Sequence, residues 1–263
     1  MNARKALIVG MAALVLATPA VAATKSRGHA QAHVPAQGTD LPDWNGVWER
    51  VGSITWEPTA RPGVPENPPF TPEFAEKYRQ TSQAAREGHP RADPTSTCLP
   101  PGMPRIMTMT YPMEILMTPG QVTIIAEWSS QVRRIFTDGR GHPPADELDP
   151  TFNGHSIGHW EGKGREAVLV IDTVGIRGDT GFDASGIEHS DQIHVTERMH
   201  LVPAVKGAPD VIENEITVID PKAFVHPWVV TKKYKRGGPD ARIMEYVCEE
   251  NNRDPLAPGA AKP

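Results

Sequence analysis

The sequence has few cysteines and few residue spacings that bind metals. Cys98 and Cys248 are its two cysteines, and neither belongs to a Cys-x-x-Cys pair, which excludes the usual zinc-ribbon and dithiol redox motifs. Neither His-x-His nor His-Glu-x-x-His occurs. His155 and His159 are four residues apart, which on a strand separates them by about 13 Å and prevents them from chelating one ion as a pair. We therefore predict no metal and no other cofactor.

Long apolar runs are also lacking, except for one near the N-terminus. Ala6–Ala17 is apolar, follows Arg4 and Lys5, and precedes a small-x-small site at Ala20–Ala22. This pattern is typical of a cleaved secretory signal peptide over residues 1–22; an uncleaved anchor is the alternative. We predict a periplasmic or secreted protein that is not an integral membrane protein, because no later run is long enough to span a bilayer.

An excess of positive charge is absent as well. The formal net charge is −5, and it becomes more negative once the basic residues of the signal peptide are left out. A mildly acidic surface argues against nucleic acid and anionic membranes as partners. The predicted partner is a small aromatic molecule, on the grounds given below.

The two cysteines are predicted to form a disulfide. An exported chain lies in an oxidising compartment, where an even pair of cysteines indicates a covalent bond. Cys98 and Cys248 would close a long loop; two free reactive thiols are the alternative.

Short strands dominate the rest of the chain. Between a flexible tether at 23–42 and a disordered tail at 254–263, residues 43–253 form one predicted domain. Thr71 and Pro72 suit the start of one short helix. The remaining apolar runs are short, separated by turn sequences and without internal repeats, which favours a mainly β, antiparallel, lipocalin-like (calycin-type) barrel wide enough to hold one small ligand; a β-sandwich is the alternative. The predicted strands are Val47–Trp56, Met113–Met117, Val122–Trp128, Val132–Phe136, His155–Glu161, Ala167–Val174, Ile193–Val202, Val211–Ile219, Trp228–Tyr234 and Ile243–Cys248.

The segment Gly154–Gly158 matches the Gly-x-Ser-x-Gly pattern of serine hydrolases. That motif places its serine between a strand and a helix, whereas here an apolar strand follows. Ser156 is the nucleophile of this hypothesis, with Asp172 or Asp183 and then His189 or His194 as partners in chain order. The alternative is that the glycines serve a bent strand or a bulge.

The densest polar stretch is His189–Arg198. If it is a strand, His194, Thr196 and Arg198 share one face, while Glu197 lies with apolar residues on the other. The polar face either lines the barrel interior or faces solvent. The charged loop Asp138–His142 is predicted to lie at the barrel mouth or to form a turn.

Six stretches of the sequence stand out together: Asp43–Glu49 (DWNGVWE), Thr137–Arg140 (TDGR), Gly154–Gly162 (GHSIGHWEG), Val170–Thr173 (VIDT), His194–Arg198 (HVTER) and Glu245–Arg253 (EYVCEENNR). Jointly they resemble a largely uncharacterised family of exported bacterial β-proteins. This chain departs from the family pattern at Lys163–Ala167, where its hairpin is longer. A further resemblance, to cofactor-free lyases of lignin-derived phenylcoumaran dimers, implies acid/base chemistry on an aromatic substrate.

The leading functional hypothesis from the sequence is a cofactor-independent lyase that acts on a small aromatic molecule, such as a lignin-derived phenol, inside the barrel. His155 or His194 would move a proton, and Glu197 or Glu127 would orient the histidine. An envelope protein that binds apolar or aromatic ligands without turnover is the first alternative, and the serine hydrolase is the second. The predicted substrate-binding residues are Arg134, Arg198, His159, Trp48, Trp128 and Trp160.

Overall fold

The chain folds into a closed barrel. The computed structural model describes residues 40–56, 68–89, 93–203 and 205–248, and all of these belong to one compact unit. Each strand pairs with the next along the chain, and the first pairs with the last. The strands of the described residues are β1 (Gly46–Val51), β2 (Met113–Thr118), β3 (Gln121–Ala126), β4 (Gln131–Phe136), β5 (His155–Glu161), β6 (Val168–Val174), β7 (His194–Leu201), β8 (Val211–Ile219) and β9 (Trp228–Arg236).

The predicted barrel is confirmed, and the sandwich alternative is wrong. All neighbouring strands are antiparallel except β4 and β5, which run parallel. A parallel pair needs a crossover connection, and residues 137–154 provide it. The predicted strand at Ile243–Cys248 is not formed. Because β1 and β9 pair with each other, the closed barrel offers this segment no free edge.

One α-helix is present among the described residues, as predicted, and it is α1 (Pro72–Arg86). Pro72 occupies the first turn, where its missing N–H costs nothing, and Glu73 lies at the positive end of the helix. Thr71 precedes the helix without capping it, since its hydroxyl donates to the Lys222 carbonyl. Short 3-10 turns occur at Pro94–Thr97, Arg105–Thr108, Trp128–Ser130 and Gly164–Glu166.

The barrel interior is packed with side chains. Alternate residues of every strand point inward and supply an apolar core, as the two-residue period of a strand requires. The turn Arg105–Thr108 closes against this core, with Met107 fully buried and its carbonyl accepting a hydrogen bond from Tyr234. The sequence predicts a small ligand inside the barrel, whereas the described interior is packed with buried apolar side chains.

A buried ion pair lies within this apolar interior. Arg133 of β4 and Glu197 of β7 form a bidentate salt bridge, and both side chains are essentially inaccessible to solvent. The Arg133 guanidinium also donates to Ser156 and Thr173, at 3.2 and 3.0 Å. Asn214 donates to Glu197 over 2.8 Å. These hydrogen bonds offset the hydration that both charged groups lose in the apolar interior.

The predicted disulfide is confirmed: Cys98 and Cys248 are bonded across 150 residues of sequence. It joins the segment before the Arg105–Thr108 turn to the segment after β9. Among the described residues, no helix is long and apolar enough to cross a membrane. The predicted signal peptide, most of the tether and the C-terminal tail lie outside the described residues.

Candidate functional site

Three histidines and one aspartate form a continuous hydrogen-bonded cluster on the outside of the barrel. His142 Nδ1 lies 2.8 Å from His155 Nδ1, and His142 Nε2 lies 2.9 Å from Asp172 Oδ1. His194 Nε2 lies 2.9 Å from the same carboxylate oxygen. We call these four residues the histidine–aspartate cluster. Its order is His155, His142, Asp172, His194, so one carboxylate links imidazoles from both sides.

Three adjacent strands and one connection build the cluster. His155 begins β5, Asp172 lies on β6 and His194 begins β7; each lies on the face opposite the buried Ser156, Thr173 and Val195. Its remaining member comes from the crossover connection between β4 and β5. That alternation of inward and outward side chains places the three strand residues together on the outer surface.

The crossover connection is held against the sheet by close packing. Gly175 has φ of +66°, which favours glycine, and a Cβ atom added there would lie 2.8 Å from the Leu148 side chain of the connection. Thr151 also donates its backbone N–H to the Gly175 carbonyl at 2.9 Å. These contacts fix the crossover connection, and with it His142, against the outer face of the strands.

The hydrogen bonds restrict the protonation states of the rings. An ionised carboxylate only accepts, so His142 and His194 both carry a proton on Nε2. A neutral His194 therefore presents a lone pair on Nδ1, as in the aspartate–histidine pairs of acid/base enzymes. Between the two Nδ1 atoms of His142 and His155, one ring donates and the other accepts, so this pair shares a single bridging proton.

Burial and nearby positive charge favour the neutral form of His155. Its pKa is lowered from the ordinary value, first by burial and then by His142 and Arg140. The cluster is nevertheless reachable from solvent: the side chains of His142, Asp172 and His194 are 20%, 40% and 35% exposed. A ligand can therefore contact these side chains from solvent.

An aromatic ring and two arginines border the cluster. The Phe136 ring centroid lies 5.5 Å from that of His155, and the Arg140 guanidinium lies 4.0 Å from the Phe136 centroid. Arg134 is exposed on β4. In the parallel β4–β5 pair, Ile135 is paired with Ser156. Arg134 comes just before Ile135, and His155 comes just before Ser156. Arg134 and His155 therefore emerge side by side on the outer face.

Of the residues predicted to carry chemistry, His155 and His194 come together in the cluster, but Glu197 and Glu127 do not join them. Glu197 points into the barrel toward Arg133, on the opposite face from His194. Glu127 accepts a hydrogen bond from the Met244 backbone at 2.7 Å. The prediction that either glutamate orients the histidine is wrong, since Asp172 makes that contact.

Two predicted substrate-binding residues lie away from the cluster. Arg198 is paired with Glu161 at 2.7 Å, and His159 lies 3.6 Å from the same glutamate. Arg198 is four positions after His194 on β7, or about 13 Å along the strand. The polar face of β7 does not line the interior; it faces solvent.

The three tryptophans predicted to pack a ligand do not surround one cavity. Trp48 points inward and is fully buried. Trp160 packs against Trp44, with 4.9 Å between ring centroids. Trp128 contacts Tyr111 and Tyr246 instead, close to Trp48 but not to Trp160.

Ser156 lies inside the barrel, not at a strand-to-helix turn. Among the described residues, its hydroxyl contacts Thr173 at 2.9 Å and Arg133 at 3.2 Å, and neither partner is a histidine. The segment Gly154–Gly158 runs into β5 and is not followed by an α-helix. The geometry therefore gives no support to a serine nucleophile.

The glycines of this segment allow backbone conformations and close contacts that a side chain would prevent. Gly154 has φ of +65°, and a Cβ there would lie 2.6 Å from the Val174 carbonyl oxygen. We expect Gly154→Ala to lower the free energy of unfolding by about 1–3 kcal/mol, because alanine is strained in this conformation. Urea denaturation would measure it. The matched control is Gly141→Ala, where an added Cβ meets no atom within 4 Å; an equal loss in both variants would contradict the argument.

The sequence named Asp172 only as a possible partner of Ser156 in the hydrolase hypothesis, and His142 only as part of a charged loop, so neither was predicted to join His155 and His194 in one cluster. Asp172 is a charged residue within the apolar strand VLVIDTV, a signal that could have marked it. His142 had no comparable signal, because a long connection carries it to the strands. In the described part of the chain, no group of histidine, cysteine and acidic side chains is arranged to hold a metal ion.

Comparison of the chain with protein-family models, with curated proteins and with solved structures finds no match.

Proposed function

We propose that this protein is a cofactor-independent lyase that uses acid/base chemistry on a small aromatic substrate, with lignin-derived phenols as the substrate class. The observation that carries the proposal is the hydrogen-bonded chain His155–His142–Asp172–His194 on a solvent-accessible surface. The site proposed differs from the one expected from sequence, since it lies on the outer face of the barrel.

The cluster contains the parts that an elimination needs. In such a reaction a base removes a proton from the substrate, a bond to the leaving group breaks, and an acid returns a proton to that group. His194 serves as the base through Nδ1, because Asp172 holds its Nε2–H. The His142–His155 pair acts as the acid in the form that carries one extra proton: His155 Nε2–H passes its proton to the leaving group, the bridging proton moves from His142 Nδ1 to His155 Nδ1, and His142 is left neutral. Asp172 contacts both His142, which is positive before the transfer, and His194, which is positive after it, so one carboxylate stabilises the charge at both stages.

The border of the cluster suits a phenolic ring. Phe136 offers an aromatic face beside His155, and aromatic rings pair favourably in offset or edge-on arrangements. Arg134 is exposed next to His155 and is the residue proposed to bind a phenolate or carboxylate by charge-assisted hydrogen bonds. Arg140 is already paired with Asp138 at 2.6 Å, so its proposed role is to flank the ring.

The proposal is tested by incubating the purified protein with a phenylcoumaran-type phenolic dimer and following the products by mass spectrometry. We expect Asp172→Asn to lower kcat by about 10²-fold, because the amide oxygen can still accept both Nε2–H groups but carries no negative charge to stabilise an imidazolium. The matched control is Glu161→Gln, which removes a carboxylate from the same outer face outside the cluster and is expected to leave kcat unchanged.

Two results would contradict the proposal. Equal activity in Asp172→Asn and the wild-type protein would remove the cluster from catalysis. Binding of the dimer without any turnover would favour a binding protein.

A further inference from the structure

The crossover connection between β4 and β5 is attached to the barrel near both of its ends. At its start, Thr137 donates its backbone N–H to the Gly120 carbonyl at 2.8 Å. Toward its end, Thr151 donates its backbone N–H to the Gly175 carbonyl at 2.9 Å. The stretch between these attachments, residues 139–147, contains neither helix nor strand. We call this stretch the strap.

One residue of the strap, His142, forms its side-chain hydrogen bonds to the barrel. Its Nδ1 lies 2.8 Å from His155 of β5, and its Nε2 lies 2.9 Å from Asp172 of β6. In the part of the chain that the structure describes, the other polar side-chain contacts of the strap stay within the connection, as between Arg140 and Asp138. The position of the strap therefore depends strongly on one imidazole ring.

The residues around His142 add few contacts that could replace it. Pro143–Pro144 follow it and have no backbone N–H to donate. A Cβ atom added to Gly141 would meet no atom within 4 Å, so the backbone is not packed there. The Arg140 guanidinium lies 4.0 Å from the Phe136 ring centroid, but this contact does not change with pH, because arginine stays charged.

The contact between the rings of His142 and His155 has room for a single proton. Their Nδ1 atoms are 2.8 Å apart, so one atom must donate and the other accept. The pair can take up one extra proton on His155 Nε2 and keep the contact, with His142 Nδ1 then donating to His155 Nδ1. A second extra proton would put a hydrogen on both facing atoms and a positive charge on both rings. The doubly charged pair must therefore separate.

The charged groups around the two rings oppose a second extra proton. Asp172 offsets one positive charge, but it also binds His194 on its other side. Arg134 of β4 emerges beside the pair, and the positive charge of Arg140 in the strap disfavours its protonation. Asp138 balances Arg140 at 2.6 Å. The carboxylate of Asp172 thus serves three imidazoles and cannot offset a positive charge on each of them.

Proton binding favours the released strap at low pH. Burial, followed by the charges of His142 and Arg140, lowers the pKa of His155 while the strap is in place. A released ring would return to the ordinary histidine value of about 6.5. Below that pH, protons bind more strongly to the released form. The ratio of released to closed protein is therefore expected to rise by about 10-fold per pH unit for each linked proton.

We propose that the strap is a pH-sensitive cover of the histidine–aspartate cluster, closed while the two rings hold at most one extra proton and released when they take up a second. Release moves His142 away from Asp172, which then keeps His194 as its imidazole partner, and exposes the carboxylate further to solvent. The proposal concerns the position of the strap, and it does not rest on catalysis by the cluster.

The test is NMR spectroscopy of the full protein between about pH 7.5 and pH 5, a range that spans the ordinary histidine pKa and stays above that of carboxyl groups. The amide order parameter of Gly141 is expected to fall from about 0.85, typical of rigid backbone, to below about 0.6. The ring-nitrogen chemical shifts should show both Nδ1 atoms protonated over the same pH range. Amides of α1 are the internal control and should keep their order. A Gly141 amide that stays ordered down to about pH 5, or a loss of order shared by α1, would overturn the proposal.

A variant that cannot take up the second proton identifies the group responsible. His155→Asn keeps an acceptor near the position of Nδ1 but does not titrate, so the strap is expected to stay ordered down to about pH 5. The matched control is His159→Asn on the same strand, where the side chain is 67% exposed and lies outside the cluster; it should behave like the wild-type protein. Loss of order in His155→Asn at the wild-type pH would refute the proposal. The wild-type measurement needs no substitution, so it decides the question even if His155→Asn does not fold.

Discussion

Replacing both Cys98 and Cys248 by serine is expected to lower the free energy of unfolding by about 4–5 kcal/mol. The bond spans 150 residues, and in the chain-entropy model a cross-link over so long a loop removes many conformations from the unfolded chain. Equilibrium denaturation in urea would measure the loss. It is a large fraction of the total stability of an ordinary domain, about 5–15 kcal/mol.

The wild-type protein treated with a reductant is the control for the serine variant. Both should unfold at the same urea concentration, because both lack the cross-link and differ by only two atoms. The m-value is expected to rise in both, since an unfolded chain without the bond exposes more surface. A loss below about 1 kcal/mol would contradict the entropic argument and would show that the unfolded chain is already restrained.

Glu197→Gln is expected to destabilise the protein by about 3–5 kcal/mol. The substitution keeps the shape of the side chain but leaves Arg133 charged and fully buried without its counter-ion. Removing one partner of a buried ion pair is strongly destabilising, because the remaining charge is uncompensated. Urea denaturation again measures the change. Glu213→Gln is the matched control, because Glu213 pairs with Lys233 near the surface at 2.8 Å and such pairs contribute about 0–1 kcal/mol.

A double variant separates the charge from the packing. Arg133→Met combined with Glu197→Leu removes both charges and fills the space with apolar atoms, so we expect it to recover at least half of the loss caused by Glu197→Gln. Full recovery is not expected, because Ser156 and Thr173 then lose a donor. A double variant less stable than Glu197→Gln would contradict the view that the unpaired Arg133 charge causes the loss.

The strands were predictable because each one carries a two-residue alternation. In β7, Val195, Glu197 and Met199 share a face in the sequence pattern, and all three are buried. The pattern did not reveal which face is interior, and the presence of histidine and arginine on the other face was compatible with a polar cavity. The side chain of Arg133 on β4 decides which face of β7 is interior. It forms a salt bridge with Glu197 inside the barrel, and this makes the burial of the glutamate possible.

The candidate site was predictable only in part. His155 and His194 were identified from residue type, and their place at the start of two strands follows from local patterns. Their connection through Asp172 and His142 depends on the register of β5, β6 and β7 and on the path of the crossover connection. Register between strands distant in sequence is set by burial of whole faces, which no short motif records.

The sequence by itself determined the approximate positions of the nine strands of the barrel, the single helix of the described residues and the disulfide partners, because local alternation, a proline suited to the start of a helix and a lone cysteine pair are properties of the chain alone. It also predicted a strand at Ile243–Cys248 that is not formed. Only the tertiary structure decided that β4 and β5 run parallel, that the barrel interior is filled, and that one carboxylate meets two imidazoles on the outer face. These features depend on contacts between residues far apart in the chain. Their geometry is fixed when the barrel closes and the apolar faces are buried together.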